Sequence, residues 1–461
     1  MGLVIAGCLA AAGVSCAFAP PAPDYDPWAW LIWGRELGGL QLSTAEGPAF
    51  KPLPVAVSVL LAPLGEAAPS AWVILARAGA LLAVVLAFAA GRRIGGWAGG
   101  LGAAVGVVAT GGFVAEAAPG NAEGLLLALA LAAWLCGSTG HPHVAFALAV
   151  GCALVRVEAW PFALAAAAFA WRRRPADRPL LAAAVVAVPA LWLGPELMGS
   201  GELLRSAGRA RAVEPGQPGL AALPVWDSLR QGAGLVSLLL APGLGVLVAT
   251  HRTTGAREGL VLAATGVAWL TLVAVMAQLG FSGEERYALP GAALIGLSGG
   301  AGLGLGARRA LSAGGPASAR RRGRCGRCGR TLVRLALPGA CLLLAGAVAL
   351  RADPPADVRA GQVWRAQLGR DLERAVRRAG GTDRLLGCGR PYVGRFRGTL
   401  LAYRLGVAKH RVGLTPRVPG VVFRSRLGPG HAVRPRRPSG FRTLASSGSW
   451  QLAARCASDR S

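Results

Sequence analysis

Pro23-Asp24-Tyr25-Asp26-Pro27-Trp28 places two carboxylates one residue apart, just past an apolar run from Leu3 to Phe18. Acids set at the water boundary of a chain that is otherwise mostly membrane point to chemistry there, because ionisable groups near a bilayer are costly and usually functional. Asp24 and Asp26 are therefore the candidate catalytic residues. The Leu3–Phe18 run reads as a first transmembrane helix. Ala17-Phe18-Ala19 also resembles a cleavage site, but no basic residues precede the run, which favours the helix.

The surrounding composition sets the class. Of 461 residues, 53% are hydrophobic and only 15% are charged. Mean hydropathy is +0.47. This excludes an ordinary soluble domain and indicates a polytopic, all-α membrane protein. The 67 glycines suit helices that approach closely in lipid. The net charge of +27 comes almost wholly from arginine, so where the arginines lie decides what they contact.

Outward from the acid pair, Pro20 to Lys51 is polar and aromatic, with Trp28, Trp30 and Trp33 around Arg35 and Glu36. Clustered tryptophans predict a membrane–water interface. Later apolar segments are Pro52–Leu64, Ala71–Gly91, Trp97–Ala115, Ala122–Cys136, Val144–Val155 and Ala159–Trp171. Leu180–Leu197, Ala233–Thr250, Gly259–Leu279, Ala288–Gly306 and Leu332–Leu350 follow.

Arginine clusters at Arg92-Arg93, Arg172 to Arg174, Arg252 with Arg257, and Arg308 to Arg330 fall at alternate span ends and mark the cytoplasmic side. Pro52–Leu64 is short and carries three prolines, so it reads as an interfacial or re-entrant helix rather than a span. About eleven spans remain, with the amino terminus inside and the C-terminal region outside. On this topology Asp24, Asp26, Arg35, Glu36, Lys51, Arg77, Glu116, Glu123, Arg156, Glu158, Glu284, Glu285 and Arg286 share the extracytoplasmic face. The arginine clusters opposite them are expected to meet anionic lipids.

Residues 351–461 read as a separate basic α/β domain, with 23 basic side chains against 6 acidic ones. The pattern predicts an amphipathic helix near Val358–Ala379, an apolar piece around Leu385–Cys388, a second helical piece near Thr399–Leu405, and strands near Val421–Arg424 and Phe441–Arg455. Cys388 and Cys456 could form a disulfide on the outer side. On that side no nucleic acid is expected. Cys325-Gly326-Arg327-Cys328 lacks a second ligand pair, and no metal site is assigned to it.

Lys51-Pro52-Leu53-Pro54, Leu64-Gly65, Ala76-Arg77-Ala78 and Gly91-Arg92-Arg93-Ile94-Gly95-Gly96 come in an order that resembles the front third of the GT-C glycosyltransferases. The branch most similar is the protein O-mannosyltransferase and aminoarabinose-transferase group (family 39-like). Glu285-Arg286-Tyr287-Ala288-Leu289-Pro290 resembles that group's Arg-Tyr-x-x-Pro. Two departures stand: Pro-Leu-Pro replaces Pro-Pro, and Asp-x-Asp replaces the Asp-Glu of many members.

The resemblance spans about residues 1–350. It implies an inverting transfer of a sugar from a polyprenyl-phosphate donor to a glycan, lipid or protein acceptor outside the membrane. Asp24 or Asp26 would take the acceptor's proton. Arg286 would meet the leaving phosphate, with Tyr287 donating a hydrogen bond and Lys51, Arg77 or Arg156 as alternates. Glu158, Arg35 and Glu36 complete the expected substrate-binding set, and Asp24 with Asp26 could also hold a divalent cation. A lipid-linked glycan transporter or a non-catalytic envelope scaffold are the other classes; a transporter would show midplane ionisable groups and inverted repeats, and neither is evident.

Overall fold

The computed structural model describes residues 1–173, 175–211, 234–312 and 354–457, with isolated positions between 339 and 347. The predicted span Leu332–Leu350 and the Cys325–Cys328 motif fall outside these residues. Each of the other ten predicted spans is helical. Among the described residues, four helical stretches are long and apolar enough by themselves to cross a membrane: Pro52–Val108, Pro175–Ser200, Thr254–Gln278 and Glu285–Ala310. Gly2–Phe18, Glu123–Ser138 and Pro142–Val155 are apolar but shorter.

Two glycine breaks divide the longest stretch. At Gly65 the backbone turns to φ 55°, ending the short Pro52–Leu61 helix and its 3₁₀ continuation before Ala68–Val108 begins. Pro52–Leu64 is thus a short helix in its own right. At Gly96 φ reaches 72°, and Ala68–Val108 folds into a hairpin whose arms touch at Gly91 and Gly99. Both turns use conformations that a side chain would strain.

The centre of the bundle is the Glu285–Ser312 helix. In its most apolar window 94% of residues are buried, against 22% in Pro175–Ser200 and 28% in Thr254–Gln278. Sequence explains how it fits. Gly296 lies on Gly106, Gly300 on Gly102 and Gly299 on Gly243, so closely that a Cβ at any of them would overlap the facing backbone. Lipid supplies no hydrophobic drive between apolar helices, and this close van der Waals contact holds them instead.

At one end of the bundle Arg93 pairs with Glu258 at 2.8 Å and donates to Ser138 O, while Arg308 lies over Gly96. The acid stretch lies at the other end, as the start of a helix, Tyr25–Gly38. The interfacial reading of its tryptophans is corrected here. Trp30 and Trp33 are fully buried and Trp28 nearly so. Trp30 meets Trp72 edge-on, Trp33 packs on Phe50 and Trp28 on Tyr403. Indole rings suit any place that needs a large apolar body and one polar tip, and here the protein interior provides it.

After residue 354 the helix Pro355–Arg378 packs on a sheet of β1 (Arg390–Val393), β2 (Gly420–Arg426), β3 (Val433–Arg434), β4 (Arg442–Ser447) and β5 (Trp450–Arg455). The main strand order is β1-β2-β5-β4, with β1 parallel to β2, the other pairs antiparallel and β3 alongside β2. The edge strands β1 and β3 were not foreseen. Cys388 and Cys456 are disulfide-bonded.

This region sits on the acid end of the bundle. Arg404 bonds Glu66 at 2.7 Å, Lys409 bonds Glu46 at 2.9 Å, and Arg35 donates to the carbonyls of Tyr403 and Val407.

Candidate active site

Ahead of the acid stretch the Ala22 N–H donates to Pro20 O in a tight turn, and Asp24 occupies the N-cap of Tyr25–Gly38. Its backbone N–H donates to Pro119 O, tying the stretch to the loop after the hairpin. Asp26 lies in the first helical turn, where the helix dipole favours a carboxylate. It is 6% exposed.

Asp26 Oδ2 lies 3.2 Å from Arg286 Nη2 and 3.7 Å from Lys51 Nζ. Burial pushes its carboxyl up, but Arg286, Lys51 and Arg156 outweigh that and hold it below the usual carboxylate range. Lys51 is the N-cap residue of the Pro52–Leu61 helix, with its ammonium 4.9 Å from the centre of the Trp30 ring. Among the described residues this ammonium makes no hydrogen bond, and 3.7 Å leaves it free to turn to another anion. Burial lowers the Lys51 pKa, against the pull of Asp26.

Arg286 sits at the start of the central helix, where the dipole disfavours a cation. Glu284 at 2.6 Å and Asp26 offset that penalty. The next residue, Tyr287, links a second cluster. Its ring lies 4.0 Å from the Arg156 guanidinium, which also grips Glu158 through two nitrogens at 2.7 and 3.2 Å and Glu123 at 3.0 Å. Arg156, Glu123 and Glu158 are each at most 5% exposed. With Asp26, Lys51 and Arg286 the two clusters hold three buried acids and three cations. A balanced set of this kind avoids the cost of an isolated buried charge.

Glu116, on the short Phe113–Ala117 helix, accepts from Asn121 at 2.6 Å. Burial, with Glu123 and Asp24 adding to it, raises its pKa to about 7 against the opposing pull of Arg286.

The expected site residues divide. Asp26, Lys51, Arg286, Tyr287, Arg156 and Glu158 come together. Asp24 stands at the edge, 39% exposed in its side chain and 3.7 Å from Arg365 of the C-terminal helix. Arg77 lies apart: its donors go to the carbonyls of Ala118, Ala19 and Pro20 and to Ser15 Oγ, pinning the end of the first helix. Arg35 and Glu36 also lie apart, Arg35 against the C-terminal region and Glu36 accepting from Ser43 N–H.

Asp24 and Asp26 do not fit a divalent cation as arranged, because each faces a cationic side chain. Among the described residues no three His, Cys, Asp or Glu side chains are grouped to hold a metal. Sequence reasoning placed Glu123 and Glu284 on the same face but gave them no role in the site, and it missed Arg365. Glu123 had a signal, a lone acid opening an apolar helix; Arg365 had none, being one arginine among many.

No family model matches the chain, and no curated protein matches it. Its fold is that of ArnT from Cupriavidus metallidurans. The structure of that protein bound to undecaprenyl phosphate aligns with 99% of this chain and 98% of its own, at TM-score 0.57 and 14% identity. Its apo structure aligns over the same shares at TM-score 0.58. An Archaeoglobus fulgidus oligosaccharyltransferase tethered to an acceptor peptide aligns with 89% of this chain and 64% of its own, at TM-score 0.46 and 12% identity.

Proposed function

We propose that this chain is an integral-membrane glycosyltransferase that moves a sugar from a polyprenyl-phosphate donor to an acceptor at the acid end of the bundle. The observation that carries the reading is the buried Asp26–Arg286–Lys51 set at the head of the central helix, within a fold shared end to end with a protein crystallised on undecaprenyl phosphate. The opposite end carries Arg92-Arg93, Arg252, Arg257 and Arg308-Arg309. The positive-inside bias makes that end cytoplasmic and the acid end extracytoplasmic.

In the proposed reaction the acceptor hydroxyl attacks the anomeric carbon from the face opposite the phosphate. A new C–O bond forms, the bond to the phosphate oxygen breaks, and the configuration inverts. Lys51 and Arg286 receive the charge that grows on the phosphate, acting where water is scarce and fixed charges count most. Asp26 keeps these two cations in place. Asp24, the more open of the acids, takes the acceptor proton. Arg156 holds Tyr287 against the same site.

Radiolabelled sugar transfer from a panel of polyprenyl-phosphate donors, in membranes carrying wild type, Asp24→Asn or Asp26→Asn, tests the reading. Transfer by wild type and its loss in both variants is expected. Absence of transfer from every donor by folded wild type would sink it and favour a non-catalytic scaffold.

A further inference from the structure

From residue 384 to residue 458 the chain has fourteen arginines and one lysine and not one aspartate or glutamate. The described acids of the C-terminal region, Asp357, Asp371, Glu373 and Asp383, all lie on its first two helices, Pro355–Arg378 and Thr382–Cys388. The sheet that follows is basic and has no carboxylate of its own.

Its two faces differ. Phe423, Trp450 and Leu452 point to one side, where they share a core with Leu368 and Leu372 of Pro355–Arg378 and with Leu401 of the helix Gly398–Arg404. That second helix packs on Tyr25–Gly38, so this side of the sheet looks toward the bundle. Tyr392, Val422 and Ala453 point the opposite way and pack with Phe441. Alternation along the strands puts Arg390, Arg424, Arg426 and Arg455 on that outer side. The connection from β3 to β4 crosses the same side, since Pro435 O accepts from Arg424 and Phe441 meets Tyr392, and it adds the exposed pair Arg436 and Arg437.

Six guanidinium groups thus share one face turned away from the bundle, and four of them are fixed by neutral acceptors. Arg390 donates to His410 O at 2.8 Å and Arg411 O at 3.2 Å, and Arg424 to Pro435 O at 2.8 Å and Gln451 Oε1 at 2.7 Å. Arg426 donates to His431 O at 2.6 Å and Arg437 to Thr443 Oγ1 at 3.0 Å. These bonds aim the side chains without cancelling their charge. No carboxylate among the described residues pairs with any of the six. Residues two apart on a strand stand about 6.6 Å apart and neighbouring strands about 4.8 Å, inside the roughly 8 Å over which charges interact at physiological salt. Anions recurring along the face would relieve that repulsion.

We propose that this outer face of the sheet is a docking surface for a phosphodiester polymer of the cell envelope, laid along the strands as an extended polyanion. Planar guanidinium forks meet phosphate oxygens two at a time. Lipid headgroups lie in the plane of the bilayer, whereas this face is directed away from the membrane-spanning helices, which favours a polymer in the aqueous layer. The surface is separate from the Asp26 site. Only its envelope location rests on the extracytoplasmic reading of the acid end.

The test titrates poly(glycerol phosphate) against the full chain in a neutral detergent over a range of salt. A flexible strand releases about 0.7 counterion per contact, so six contacts should make log K fall with log salt at a slope of about −4. Arg436→Gln with Arg437→Gln should bring the slope to about −3 and weaken binding about twenty-five-fold at about 0.1 M salt. Arg390→Gln with Arg455→Gln should do the same, and it keeps the test decisive if the first variant folds poorly. Arg252→Gln with Arg257→Gln removes the same charge at the opposite end of the bundle and should change neither quantity.

Equal weakening in all three variants would reduce the effect to net charge and overturn the surface, as would absence of binding by wild type. Tighter binding to phosphatidylglycerol vesicles than to the polymer, lost in the same two variants, would make the face a lipid site instead. Preference for single-stranded DNA of equal charge would make it a nucleic-acid site and overturn the outward placement as well. A wild type that binds the polymer but transfers no sugar leaves the surface standing and counts against the glycosyltransferase reading alone.

Discussion

Arg286 Nη2 and Asp26 Oδ2 lie 3.2 Å apart, although the two residues open helices far separated in the chain. The dipole of its own helix favours Asp26 and disfavours Arg286, so Asp26, together with Glu284, is what permits the cation. Asp26→Asn removes the carboxylate beside Lys51 and leaves Arg286 with Glu284 alone. A loss of about 3–5 kcal/mol of stability is expected, with transfer reduced at least a hundredfold. Thermal melting beside the transfer assay measures both; a variant that melts like wild type would show that the pair is not holding the site.

Glu116 makes stability depend on pH. Its folded pKa, raised to about 7, exceeds the ordinary value of 4.5. The folded state therefore binds the proton more tightly, and its contribution is complete below pH 4.5 and is lost as pH rises through about 7. The melting temperature should decline across that window, and Glu116→Gln should flatten the decline. A wild-type curve with no step near pH 7 would contradict the assignment.

Gly300 has no room for a side chain against Gly102. Gly300→Val should force the central helix from the hairpin at a cost of at least about 1–3 kcal/mol, and with it shift Arg286 and Tyr287 at the helix head. Earlier elution or aggregation on size exclusion, with transfer lost, is the expected result. Gly245 meets nothing within 4 Å, so Gly245→Ala serves as the silent control.

The Cys388–Cys456 bond closes a segment with a sequence separation of 68. Chain-entropy reasoning gives it about 4 kcal/mol. Cys388→Ala with Cys456→Ala should make the sheet region sensitive to limited proteolysis while the bundle stays resistant, as read by fragment masses.

Much of the site could be read in the sequence because charge in an apolar chain is conspicuous. Asp26, Lys51, Arg156 and Arg286 each stand out against the runs beside them, and local patterning marked the helices that bear them. Pairings were another matter. Nothing local says that Arg156 will meet Glu123 rather than Glu158 alone, or that Arg77 will spend its donors on backbone carbonyls; those outcomes depend on how the hairpin and the first helix pack. The tryptophans show the same limit. A cluster of indoles looks alike whether it faces lipid headgroups or protein, and the positions of Tyr403, Trp72 and Phe50 decided it. The edge strands β1 and β3 carry four and two residues, too few to show a period.

Arg365 reaches Asp24, Arg404 reaches Glu66 and Lys409 reaches Glu46, so residues from the last elements of the chain close over residues near its start. A ribosome delivers the acid stretch long before it delivers these arginines and this lysine. The growing polypeptide therefore enters the bilayer with its acid end uncovered, and that end is covered only as synthesis finishes. A product cut short before residue 355 would be a full-looking bundle without its roof.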